Sequence, residues 1–154
     1  MATYTTSLSA TYGPTFGPGV AREKISLVAI VAVTTAMIDN TNDEVGLFWV
    51  PKGFVVTGVK AGATDMDTNG TPTLAFDVGD DSDEDRLLAA STVGQAGTFS
   101  SALARTGFLY KYTERTLIKA YVQAVSATGA AGTLYAELEG FVDEDFSTTA
   151  LTAA

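Results

Sequence analysis

Oxygen-bearing side chains gather at three places in this sequence and aromatic ones at a fourth. Asp65-Met66-Asp67-Thr68-Asn69-Gly70 matches the first half of a calcium-binding loop, where ligands alternate along the chain and a glycine permits the sharp turn. The second half does not follow, because position twelve would be Phe76 rather than glutamate. Asn69-Gly70 is also a strong hairpin dipeptide, so the segment reads first as a turn, with Asp65, Asp67 and Asn69 as weak metal candidates. Gly79-Asp80-Asp81-Ser82-Asp83-Glu84-Asp85-Arg86 holds five acids within six residues. They could bind a hard cation or a basic partner, but the plainer reading is a short helix over Glu84–Ala90, N-capped by Ser82 or Asp83. Glu137 and Glu139 on one strand face would stand about 6.5–7 Å apart, near the separation of paired glycosidase carboxylates. Pairing with Lys119 and Arg115 is their plainer use. Trp49 with Phe48, or the set Tyr110, Tyr112, Tyr121 and Tyr135, could stack on sugar rings, though core and interface packing explain them as well.

What the composition lacks narrows this chemistry. The 154 residues include no histidine and no cysteine, which removes thiol nucleophiles, Ser-His-Asp triads, Cys/His zinc sites and an imidazole base. No catalytic residue is assigned and no cofactor is expected. Nine basic against eighteen acidic residues give a net charge of −9, a field that repels phosphate backbones and anionic headgroups, so neither nucleic acid nor membrane is an expected partner. The most apolar run, Leu27 to Ile38, is too short to span a bilayer. The start, Met1 to Thr6, does not read as a secretory signal.

The elements that would carry these groups are strands. Lys24–Thr35 is apolar on both alternating faces, which predicts a central strand covered on both sides. Val45–Val50 and Phe54–Ala61 read as a hairpin about a type I turn at Val50-Pro51-Lys52-Gly53. Leu74, Phe76 and Val78 form the inner face of another strand, and Phe108–Tyr112 a short aromatic one. Thr116–Val125 and Thr133–Val142 read as a second hairpin, with Lys119 opposite Glu139. Ala89–Ala104, rich in small residues, reads as a long connection. The expected fold is all-β: an antiparallel, jelly-roll-like β-sandwich over residues 23–143 with at most one short helix. An extended N-terminal arm over residues 1–22 carries Tyr4, Leu8, Tyr12 and Phe16 as candidate partner contacts, and residues 144–154 read as a flexible tail.

Between Pro51 and Val142 the order of segments has a familiar style. Pro51-Lys52-Gly53-Phe54-Val55-Val56 is followed by Leu74-Ala75-Phe76-Asp77-Val78-Gly79, an acidic Asp85-Arg86-Leu87-Leu88, Thr116-Leu117-Ile118-Lys119-Ala120 and Gly132-Thr133-Leu134-Tyr135-Ala136. This resembles the small all-β virion proteins of tailed bacteriophages, most of all capsid decoration, or cement, proteins. The resemblance implies a non-enzymatic subunit, often a homotrimer, on the outer capsid surface, where it bridges major capsid protein subunits. The arm and the Ala89–Ala104 connection would be its contact elements. Two other readings are a carbohydrate- or receptor-binding sandwich, using Trp49 or the tyrosines with calcium at Asp65, Asp67 and Asn69, and a hydrolase using Glu137 and Glu139. A tail or head–tail joining component is a further reading within the virion.

Overall fold

The computed structural model describes residues 3–5 and 24–143. Nine strands follow in chain order: β1 (Thr3–Thr5), β2 (Ile25–Val33), β3 (Glu44–Val50), β4 (Phe54–Ala63), β5 (Ala75–Asp80), β6 (Asp83–Ser91), β7 (Phe99–Ser100), β8 (Thr116–Ala124) and β9 (Gly132–Val142). One sheet has the order β1-β3-β8-β5-β6 and the other β2-β9-β4-β7. All pairs are antiparallel except β1 with β3, where Tyr4 lies opposite Val45. The chain passes between sheets at nearly every connection, so β2 through β9 form a jelly-roll-like sandwich. Leu8, Tyr12 and Phe16 of the expected arm, and the expected tail 144–154, lie outside the described residues.

Alternation explains the core. Inward residues of the two sheets interdigitate, among them Leu47, Phe54, Val59, Phe76, Ile118, Val122, Leu134 and Leu138, all buried. Full burial of such a side chain contributes about 1.5–3 kcal/mol. The helical content among the described residues is two single 3-10 turns, Thr35–Met37 and Val93–Gln95.

Four expectations from the sequence are corrected. Glu84–Ala90 is not a helix but most of β6, which pairs with β5 across a tight turn at Asp81-Ser82. Its acids alternate with no apolar residue until Leu87, and an edge position leaves them solvated without a helix to cap. The pairs β3–β4 and β8–β9 are not hairpins: each connection is a corner between sheets, and β8 pairs with β3 and β5 while β9 pairs with β2 and β4. At the first corner the turn is displaced by one residue. Phe54 N–H donates to Pro51 O at 3.2 Å, and Gly53, at φ 83°, takes the left-handed third position of a type II turn. β2 is not central but an edge strand, buried on one face only. Ala89–Ala104 is not a structureless connection, since it holds the end of β6, a 3-10 turn and β7.

Three strands are covered over part of their length by the chain's own segments. β1 lies along β3. β7 covers one end of β4, and Leu109 to Tyr112 covers the other through Leu109 N–H to Val56 O (2.9 Å) and Tyr112 N–H to Phe54 O (2.9 Å). Ala104 N–H reaches Leu87 O of β6 at 2.9 Å.

Candidate functional site

The Asp65–Gly70 segment is a clamp between loops. Asp67, 1% exposed, accepts backbone N–H bonds from Thr73 (2.7 Å), Leu74 (3.0 Å) and Ala127 (3.0 Å) on Oδ2 and from Thr128 (2.8 Å) on Oδ1. Burial would raise its pKa, but those four donors outweigh it and hold the carboxyl well below the usual range. Asp65 Oδ1 accepts the Asp67 N–H and Asn69 Oδ1 the Thr71 N–H, the side-chain-to-backbone bonds of Asx turns. Among the described residues no three acidic side chains converge as metal ligands.

The acidic run is divided by its turn. Asp80 is buried and accepts Arg86 Nε at 2.6 Å together with the Ser82 N–H at 2.9 Å. Asp81 reaches across to Lys119, whose Nζ also lies 2.9 Å from Glu44. Burial would lower the Lys119 pKa, and the two carboxylates reverse that and raise it. Lys119 therefore serves this sheet and not Glu139, correcting the expected pair. Glu139 instead meets Lys24 at 2.9 Å, and Glu137 meets Lys60 at 3.0 Å with the Ser26 hydroxyl on its other oxygen. Those two donors, Ser26 first, hold the Glu137 carboxyl below its ordinary range. A glycosidase acid needs the opposite shift.

The aromatic residues divide as well. Tyr112 and Tyr121 are buried, and desolvation pushes both phenols up, so neither is an accessible base. Around Trp49 lies an open hollow of about 450 Å³, lined among others by Tyr110, Asp80, Arg115 and Lys119. Arg115 stacks on Trp49 at 4.4 Å and Arg86 on Tyr110 at 3.8 Å.

The site that sequence reasoning missed is the outer face of the four-stranded sheet. Register aligns Ile30 with Tyr135, Tyr135 with Gly62, and Gly62 with Phe99, one row crossing β2, β9, β4 and β7. Phe99 is 72% exposed, Ile30 68% and Val28 53%. The Phe99 ring lies over Gly62, where a Cβ would fall 2.2 Å from it, and its centroid is 5.9 Å from that of Tyr135. The next row is Val28, Glu137 and Lys60. The signal was present in Val28 and Ile30, whose apolar character reads as two-sided burial when it is exposure on one face. Phe99, in a two-residue strand, gave no periodicity to read.

No family model matches the chain, and neither does any curated protein. Solved structures do. A chain of the cyanophage Pam1 capsid asymmetric unit is 34% identical over 87% of this chain and 95% of its own, with a TM-score of 0.71. A chain of the capsid of Ralstonia phage GP4 is 26% identical over 92% of this chain and 99% of its own, with a TM-score of 0.78. A chain of the acid-stable capsid of Helicobacter pylori bacteriophage KHP30 shares the fold at 15% identity and a TM-score of 0.53, over 78% of this chain and 92% of its own. By its identity to the cyanophage chain over nearly the full length of both, this chain belongs to a family of bacteriophage capsid proteins, and its place is in the virion.

Proposed function

We propose that the protein is a non-enzymatic decoration subunit that sits on the outer capsid surface and stabilises the shell by bridging major capsid protein subunits, as a homo-oligomer with three copies favoured. The observation that carries this reading is the near full-length likeness to a phage capsid chain, in a sandwich whose β3, β4 and β6 are partly covered by its own segments. A lattice tile must offer contacts around its whole perimeter. Here β3, β4 and β6 are each covered over part of their length by the chain's own segments, β2 keeps an open edge, and the large exposed apolar side chains gather mainly on one sheet face. Such a body suits attachment to a lattice more than membership of one. The net charge of −9 fits a solvent-facing exterior and does not favour nucleic acid. In this reading Tyr4, Leu8, Tyr12 and Phe16 of the arm are contacts to the shell.

The test is cosedimentation of purified protein with expanded capsids that lack it. Saturable binding, a higher temperature of capsid disruption and added density outside the shell are expected, with binding lost when Met1–Val20 are removed. Failure of the full chain to bind, or density confined to the portal or tail, would sink the decoration role. The Trp49 hollow, with Tyr110 and Arg115, favours a glycan-binding module as the second reading. A change in Trp49 fluorescence across a glycan panel, without capsid binding, would favour it.

A further inference from the structure

The sequence holds three asparagines, Asn40, Asn42 and Asn69, which differ in the residue that follows. Thr41 and Asp43 each carry a Cβ beside their amide nitrogen, and Gly70 carries none. Asn69, Gly70 and Thr71 are all exposed, with nothing within 4 Å of a Cβ added at Gly70. The Gly70 N–H makes no hydrogen bond to any described residue. Asp43, by contrast, is 1% exposed and its N–H is bonded to Asn40 O at 3.2 Å. The Asn69 side chain is held at both ends: Oδ1 accepts the Thr71 N–H at 2.9 Å, and Nδ2 donates to Thr128 Oγ1 at 3.0 Å.

We propose that Asn69 is a modification site of the folded protein, where the side-chain amide is lost to the backbone nitrogen that follows it, with water as the only co-reactant. A base removes the Gly70 N–H proton, the nitrogen bonds to Asn69 Cγ, and the carbonyl electrons move onto Oδ1. They return as the Cγ–Nδ2 bond breaks, and the leaving nitrogen takes a proton and departs as ammonia. The cyclic imide left behind is opened by water, at Cγ to give aspartate or at the main-chain carbonyl carbon to give isoaspartate. Nucleophile and carbon are adjacent in one chain, so the cost of bringing them together is already met. Glycine neither shields the nitrogen nor restricts the rotation that turns it toward Cγ. The Thr71 N–H stands where negative charge develops on Oδ1. That bond also restrains the starting state, but it strengthens as its acceptor becomes charged, while the Thr128 contact is exposed and water replaces it.

The two products have different consequences. Aspartate keeps the main chain, and the Thr128 hydroxyl can turn to donate to it. Isoaspartate adds a methylene to the main chain just before Thr71, which shifts the Thr73 and Leu74 amides that Asp67 holds. Either product adds a negative charge to a chain already at −9. A virion makes no new protein, so the change accumulates with the age of the particle.

The test is peptide mass spectrometry of the full chain aged while folded in mildly alkaline buffer, beside Gly70→Ala and beside the parent chain held in urea. Asn69 should convert to a mixture of aspartate and isoaspartate, faster as pH rises, while Asn40 and Asn42 keep their amides. The conversion should be lost over the same interval in Gly70→Ala, whose added methyl has room in the fold. The separated isoaspartate form should melt about 2–4 °C below the parent, the shift of one lost hydrogen bond, and Asn69→Asp should melt with the parent. Conversion in urea but not in the folded chain overturns the proposal, because the turn then protects the amide. Equal conversion of the three asparagines overturns it too, as does conversion of Gly70→Ala at the parent's rate. An isoaspartate form that melts with the parent overturns the coupling to the Asp67 clamp. None of these readouts involves capsid binding, so the modification and the decoration role stand or fall separately.

Discussion

Asp67 ties the Asp65–Gly70 turn to two other loops through four amide donors. Asparagine has the same shape but turns an NH₂ toward either Thr128 or the three donors on the other oxygen. Hydrogen bonds to a charged acceptor contribute about 1.5–3 kcal/mol each, so Asp67→Asn should cost about 3 kcal/mol at neutral pH. At about 2–4 °C per kcal/mol, the melting temperature should fall by about 6–12 °C. The carboxyl also sets a pH dependence. Its folded pKa lies below the unfolded value of about 3.9, so its contribution is complete above that value and is lost as pH falls toward the folded pKa. The gap in melting temperature between parent and Asp67→Asn should therefore be constant from neutral pH to about 5 and narrow progressively below about 4. A gap that widens in acid would show that the carboxylate is not the stabilising form. The sequence displays this residue clearly, inside a pattern shared by cation loops and turns. Its amide partners lie 6 to 61 positions away, beyond what a local pattern encodes.

The β5–β6 hairpin is the element whose geometry departs furthest from its local sequence. Between the pairs Val78 with Leu88 and Asp80 with Asp83, β5 contributes only Gly79 while β6 contributes four residues. The bulged strand arches over that glycine: a Cβ at Gly79 would lie 2.2 Å from Asp83 O and 2.5 Å from Glu84 O, both backbone atoms that cannot swing aside. Gly79→Ala should lower stability by about 2–3 kcal/mol, or roughly 5–10 °C. Gly70→Ala, whose added methyl would meet nothing within 4 Å, is the control and should change little. Equal melting curves for the two variants would mean that the hairpin relaxes freely. A second bulge sets Ala90 at φ 46°, with its N–H on Asp77 Oδ1 at 2.6 Å. These bulges explain why the sequence suggests a helix here: the Asp-rich start and Leu87-Leu88 mimic a capped amphipathic turn, and bulges leave no period of two to contradict it. The inner rows of β4, β5, β8 and β9 are legible because they alternate cleanly. Which strands pair is not, because Pro51-Lys52-Gly53 and Ser126–Gly132 carry hairpin residues but turn corners between sheets. Only the partner's register distinguishes those two uses.

At the scale of the molecule, the order of pairing constrains how the chain can fold. β9 is an inner strand, bonded to β2 on one side and β4 on the other. Its partner Ile25 is more than one hundred residues from Gly140. Without β9, β2 has no described neighbour in its sheet and β4 keeps only β7 and the Leu109–Tyr112 segment, so one layer of the sandwich cannot close over Leu47, Phe76 and Ile118. Loop-closure entropy must be met before these distant contacts form, which places such sandwiches among slow folders. Refolding of the full chain, followed by the fluorescence of Trp49, the single tryptophan, should be a cooperative event on a timescale of milliseconds to seconds. A chain ending at Ala131 should show no cooperative thermal transition and should expose apolar surface to a hydrophobic dye. Microsecond refolding, or a cooperative transition in the shortened chain, would mean that the five-stranded sheet holds a core of its own. In a capsid protein, this long-range closure also decides when the outer surface forms. The apolar row Ile30, Tyr135, Gly62 and Phe99 exists only once β9 lies between β2 and β4, so this exposed face is created by the same step that completes the fold.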